Sequence, residues 1–248
     1  MLVLSFLTLI YAAALLAHLA ALLLFRLSKE AAGLWLFRAG VAVLAAAFCS
    51  LSWQAWRPPL YGMWEIMLTV TLVAGLCGLF SRGADAKRLR PWVAGANLVL
   101  LLFALTWPKT PGLDYYMYSC LWTLCFFFFR NLALGFLLYA ALAFLASLFN
   151  QDQRQALAWR GRNSLLLGCA VFLAGEMSGS YWALNWMGDF WLWGRSFLVS
   201  TMMFLSAMFA FHLPAGLAGR PRLAAALGAL PAMLALAITI VQQFVEGV

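Results

Sequence analysis

The sequence predicts an all-α, polytopic integral membrane helix bundle of about eight transmembrane helices with both termini outside, and three observations predict it. Of its 248 residues 66% are hydrophobic and only 10% charged, and the mean hydropathy of +0.92 exceeds what a soluble domain carries. Apolar runs recur at the length a membrane helix needs, ~20 residues at a 1.5 Å rise across a ~30 Å hydrocarbon core, where barrel strands would show weak alternation instead. The Lys and Arg residues collect in alternate loops, as the positive-inside rule requires.

Taken in order, the apolar runs between charged or Pro/Gly breaks place spans at 3–25, 36–55, 62–80, 92–107, 120–148, 164–180, 196–213 and 223–245. The first 25 residues carry no Lys or Arg and are long enough to span, so they read as a retained helix and not as a cleaved signal. With the N-terminus outside, Arg26, Lys29, Arg38, Arg82, Lys87, Arg88, Arg90, Arg154, Arg160, Arg162, Arg220 and Arg222 face the cytoplasm. Only Arg57, Lys109, Arg130 and Arg195 fall on the other side. The whole chain, 1–248, reads as one transmembrane domain with a Trp-rich external segment at about 176–195. A bacterial inner membrane is the expected location.

Composition and motif content narrow the function. The net charge of +8 orients a lipid-bound chain at the cytoplasmic leaflet and implies membrane lipid, with no nucleic acid, as its partner. Cys49, Cys77, Cys120, Cys125 and Cys169 are odd in number and never form CxxC or CxxCH, so no disulfide framework, zinc site or covalently attached haem is implied. No Gly-rich phosphate loop, HExxH, Ser/His/Asp order or paired-carboxylate motif supports hydrolysis. An inverted-repeat transporter is not favoured, because no internal repeat is evident.

The external segments are rich in aromatic residues: Trp53, Trp56, Tyr61 and Trp64 in the first, Tyr115, Tyr116, Tyr118 and Trp122 in the second. The third holds Trp182, Trp186, Trp191 and Trp193 among Gly188 and Asp189. An interfacial belt explains a single Trp, whose ring is apolar and whose N–H suits the headgroup zone. Four within twelve residues, on a connection of about fifteen, read instead as an aromatic shelf for a large planar ligand.

This pattern resembles the Trp-rich segment of the cytochrome c assembly family, the CcsA- and CcmC-like haem-handling membrane proteins. The family shows approximately G-x-x-W-A and then W-G-x-x-W-x-W-D; this chain has Gly179-Ser180-Tyr181-Trp182-Ala183 and then Gly188-Asp189-Phe190-Trp191-Leu192-Trp193. A second stretch, Pro59-Leu60-Tyr61-Gly62-Met63-Trp64-Glu65-Ile66, resembles the family's Pro-Leu-x-x-Met-Tyr-Glu-Ser-like segment. A family histidine that follows the Trp segment corresponds to His212. The chain departs from the family where an external His is expected, at Phe128 or Phe129 beside Arg130, and Gly194 stands where the segment's terminal Asp would be. No second external His follows, since His18 and His212 are the only histidines, and neither Phe nor protonated Arg ligates iron.

The resemblance implies haem handling, that is, transport or presentation of haem at the outer membrane face in cytochrome c biogenesis. Trp182, Trp186, Trp191 and Trp193 would form the shelf, Arg195 and Arg130 would counter the propionates, and Glu65 would shape the site. His212 and His18 would ligate the iron of a non-covalent b-type haem inside the membrane, an ionisable residue there being a functional hypothesis by default. The implied partners are a second membrane subunit of a cytochrome c maturation system and apocytochrome c. The chain is at most a component of a haem lyase or cytochrome c synthase system and not a self-sufficient enzyme. The alternative is a haem-free, non-catalytic CcsA-like subunit or regulator of a redox or assembly complex.

Overall fold

The computed structural model describes residues 2–106, 120–188 and 195–245. Helices are α1 (Leu2–Arg26), α2 (Glu30–Ala55), α3 (Met63–Phe80), α4 (Ala84–Thr106), α5 (Leu121–Phe149), α6 (Arg154–Met187), α7 (Arg195–Phe211), α8 (Ala215–Ala218) and α9 (Pro221–Val245). No strand occurs among the described residues. Seven of these helices are long and apolar enough to cross a membrane, and α7 contributes a shorter apolar stretch, Leu198–Phe211. The protein is therefore all-helical, with the helices of an integral membrane protein.

Several helices outrun the apolar stretches that mark them. α2 starts at Glu30 and α4 at Ala84, where the spans were expected from 36 and 92, because hydropathy marks the part in lipid and a helix continues through flanking charge. α6 differs most: its 34 residues extend about 50 Å at 1.5 Å per residue. Its first turns are the polar Arg154–Arg162 stretch, and its last turns carry Trp182 and Trp186. Those two tryptophans are thus helical, and the connection expected to hold all four is shorter than about fifteen residues.

The chain divides into two compact units, residues 1–111 and 112–248. In unit 1, α1 packs on α2 and α4, and α3 packs on α4 and α2. α3 is buried almost throughout, from Met63 to Gly75, as expected of a helix that is apolar all round. In unit 2, α5 plays that part: it is covered by α6 and α9, with α7 packed on α9 and α6.

The α5–α6 seam shows how close approach is achieved without a hydrophobic drive between helices in lipid. Gly161, Gly168 and Gly175 recur every seven residues and face Phe144, Leu137 and Arg130. Gly179 comes next, where an added Cβ would sit 2.7 Å from the Phe126 ring. The helices run antiparallel in this register, which brings the start of α5 to the end of α6.

Each unit has a basic end and an aromatic end. In unit 1, Lys87 pairs with Glu30 at 3.2 Å, joining the first turns of α2 and α4, and Arg26, Lys29, Arg82, Arg88 and Arg90 lie near them in the sequence. Tyr11, Trp53, Trp56, Tyr61 and Trp64 lie toward the other end. In unit 2, Arg162 lies over Phe211 at 5.2 Å, while Trp122 and Tyr181 meet at the far end of the α5–α6 seam.

Candidate functional site

The aromatic end of unit 1 is built around Glu65. Trp56, with φ 52°, ends α2 in the left-handed region, and Pro58-Pro59 keep the chain extended toward α3. Glu65 is the third residue of α3 and is only 3% exposed. From there its carboxylate reaches back over the helix start and accepts the Tyr61 N–H at 3.0 Å, one residue before the N-cap Gly62. Arg57 donates to it twice, at 2.8 and 3.0 Å, and lies 4.9 Å over the Tyr61 ring. Thr69 donates to the Pro59 carbonyl at 2.9 Å and Tyr11 to that of Trp64 at 3.0 Å. These bonds tie residues 56–65 into one clasp. Beside it Trp53 and Trp56 stack at 5.9 Å on the surface.

Deeper in unit 1, His18 is fully buried. Its Nδ1–H donates to the Ala14 carbonyl at 2.8 Å, and its Nε2 accepts from Asn97 Nδ2–H at 3.1 Å. Asn97 also donates to the Thr71 carbonyl at 3.2 Å, and Gly40 gives the imidazole its room, since a Cβ there would meet His18 Cε1 at 2.6 Å. Both ring nitrogens are engaged, so iron ligation would require breaking the Asn97 bond. The network joins α1, α3 and α4.

The aromatic end of unit 2 is arranged differently. Trp122 and Tyr181 stack at 4.8 Å with planes 22° apart, both accessible at the surface, and Trp186 is exposed one turn beyond. Behind them Trp182 lies 6.0 Å from Phe126 and 6.5 Å from Phe127. One level deeper, Arg130 sits 5.0 Å over Phe126 and its Nε is 3.8 Å from Glu176 Oε1. Ser200 of α7 hydrogen-bonds the same carboxylate. Three buried polar atoms along this seam have no hydrogen-bond partner: Thr123 Oγ1, Trp182 Nε1 and Glu176 Oε1.

His212 follows α7, is exposed, and donates from Nδ1–H to the Met208 carbonyl at 3.1 Å, so it caps the helix end and leaves Nε2 open. It belongs to unit 2 and His18 to unit 1. Trp191, Trp193 and the Arg195 side chain lie outside the described residues. Phe128, at a position where the family's His is expected, is partly exposed against Phe129.

Sequence reasoning singled out Arg130 and missed Glu176, its partner. The signal was present as the one acid within the apolar run Leu165–Tyr181, where an ionisable group is costly unless it is paired or used. Among the described residues no three His, Cys, Asp or Glu side chains converge. The far end of unit 2 thus combines an accessible Trp122–Tyr181 stack with a Glu176 carboxylate held between Ser200 and Arg130 beneath it. No known family model matches the chain, and no curated protein sequence matches it either.

Proposed function

We propose that this protein handles haem at the outer face of a bacterial inner membrane in cytochrome c biogenesis, as one subunit of a larger system. In this reading eight helices cross the membrane, both termini are outside, and the aromatic ends of both units face the periplasm. The observation that carries it is the exposed Trp122–Tyr181 stack with Trp186 at the end of α6, immediately before the segment 188–194 that resembles the haem-facing motif of the cytochrome c assembly family. Stacked aromatic rings offer a porphyrin dispersion and π contact without any bond to its iron.

Haem would supply the redox iron and the vinyl groups, and apocytochrome c the thiols. The chain's own residues bind and orient. Trp122, Tyr181, Trp182 and Trp186 would hold the ring face, with Trp191 and Trp193 extending it, and Arg130 and Arg195 would answer the propionates. Any axial ligand from this chain would be His212, whose Nε2 is open, in preference to His18, whose nitrogens are occupied. A second membrane subunit completes the ligation.

A second reading, a haem-free CcsA-like subunit, is favoured by a separate observation: Arg57 is fully matched by Glu65, and Arg130 already has Glu176 beside it. The pyridine haemochrome of gently solubilised protein from haem-replete cells separates the two. Haem present in the wild type and lost in Trp191→Ala, with His18→Ala still loaded, supports the first reading. A well-folded wild type without haem supports the second.

A further inference from the structure

The basic end of unit 1 contains a cleft of about 440 Å³ lined by Arg38 of α2, Leu79, Phe80, Ser81 and Arg82 at the α3 terminus, and Arg90 of α4. We propose that it binds the phosphate headgroup of an anionic phospholipid.

Three arginines, from α2, the α3–α4 connection and α4, line the cleft, and no acid is among its lining residues. Of the acids at this end, Glu30 is paired with Lys87 at 3.2 Å, and Asp85 stands in the first turn of α4. Arg90 is held in place: its Nε and NH2 groups donate to the Gly78 and Ser81 carbonyls at 3.3 and 3.0 Å, closing the last turn of α3. Arg38 is steadied 5.2 Å over the Trp35 ring. The N-terminus of α4, beginning at Ala84, adds the positive end of a helix dipole. Guanidinium forks suit phosphate oxygens, so the charge recognises a phosphate.

The apolar surroundings choose the source of that phosphate. Phe80 is 79% exposed and Trp35 69% exposed, and both adjoin the arginines at the end of a membrane-length helix. A soluble anion has no use for them, whereas a lipid sets its headgroup among the arginines and its acyl chains along Phe80 and Trp35. Basic pockets between transmembrane helices at the cytoplasmic boundary take lipid headgroups by this arrangement. The inference is independent of haem.

The test uses the full chain in a zwitterionic detergent, with phosphatidylglycerol, phosphatidylcholine and inorganic phosphate added separately. Native mass spectrometry reads bound lipid, and thermal unfolding reads stabilisation. Phosphatidylglycerol is expected to bind and to raise the unfolding temperature, with phosphatidylcholine and inorganic phosphate far weaker. Arg38→Gln with Arg82→Gln should weaken the anionic lipid about fivefold for each arginine removed. Lys29→Gln with Arg88→Gln removes equal charge from exposed residues that do not line the cleft, and should leave binding nearly intact. Equal losses in both double variants would overturn the built site in favour of diffuse attraction. Inorganic phosphate matching the lipid's effect would overturn the lipid as occupant. Both double variants are exposed changes, and their unfolding without lipid confirms the fold.

Discussion

The two units each place an acid and an arginine at the aromatic end, and they finish the pair differently. In unit 1 the Glu65 carboxylate receives two guanidinium bonds and a backbone N–H, and the surrounding Thr69 and Tyr11 bonds fasten the turn to its helix. In unit 2 the closest Arg130 to Glu176 approach is 3.8 Å, and Glu176 Oε1 accepts no hydrogen bond. A completed buried pair holds a chain segment in one geometry. An incomplete one, with the Trp182 N–H and Thr123 hydroxyl also unmatched nearby on the same seam, leaves polar groups that a ligand or partner can satisfy. The Arg57–Glu65 pair is thus complete where the Arg130–Glu176 pair is not, although the buried Trp64 Nε1 at the aromatic end of unit 1 also has no hydrogen-bond partner.

Removing one partner from the finished pair should cost most. Arg57→Ala strands the buried Glu65 charge and is expected to lower stability by about 3–5 kcal/mol. Arg57→Gln combined with Glu65→Gln should recover part of that loss in thermal unfolding of the solubilised protein. Next comes the seam that supports the open pair: Gly179→Val puts atoms where the Phe126 ring lies 2.7 Å from an added Cβ, an overpacking cost of about 1–3 kcal/mol. The open pair itself should matter less to the fold. Glu176→Gln is expected to cost under ~1 kcal/mol, because a long, partly exposed contact couples weakly, and a double-mutant cycle with Arg130→Gln measures that coupling directly. Smallest is Trp182→Phe, which deletes a buried N–H without a partner and should be neutral to about 1 kcal/mol stabilising. A coupling for Arg130 and Glu176 as large as that of the unit 1 pair would erase the contrast.

The helices were legible because lipid demands long apolar runs, and the breaks between them are charged or proline-rich. Their ends were not, since Ala84–Arg90 and Arg154–Arg162 continue helices beyond the apolar part. Glu65 could be picked out by its place in a motif, yet its role as the anchor of a clasp needed Arg57, eight residues away in sequence, to be seen folded back on it. His18 looked like a ligand because an isolated histidine in a membrane helix invites that reading. Its satisfaction by Asn97, 79 residues distant, is a tertiary fact no local pattern carries. The glycines at 161, 168 and 175 mark the close helix seam by a seven-residue spacing that the sequence reading passed over, and Glu176, the partner of Arg130, was missed with it.

Each unit also carries an exposed stacked aromatic pair, Trp53–Trp56 in unit 1 and Trp122–Tyr181 in unit 2, which makes the comparison direct. The decisive measurement is a haem titration of the solubilised protein, followed by absorbance and tryptophan quenching, for the wild type, Trp53→Leu with Trp56→Leu, and Trp122→Leu with Tyr181→Leu. Saturable binding that survives in the unit 1 variant and is lost in the unit 2 variant is the predicted result. Equal loss in both variants, or no saturable binding by the folded wild type, would contradict the assignment of haem to the open end of unit 2.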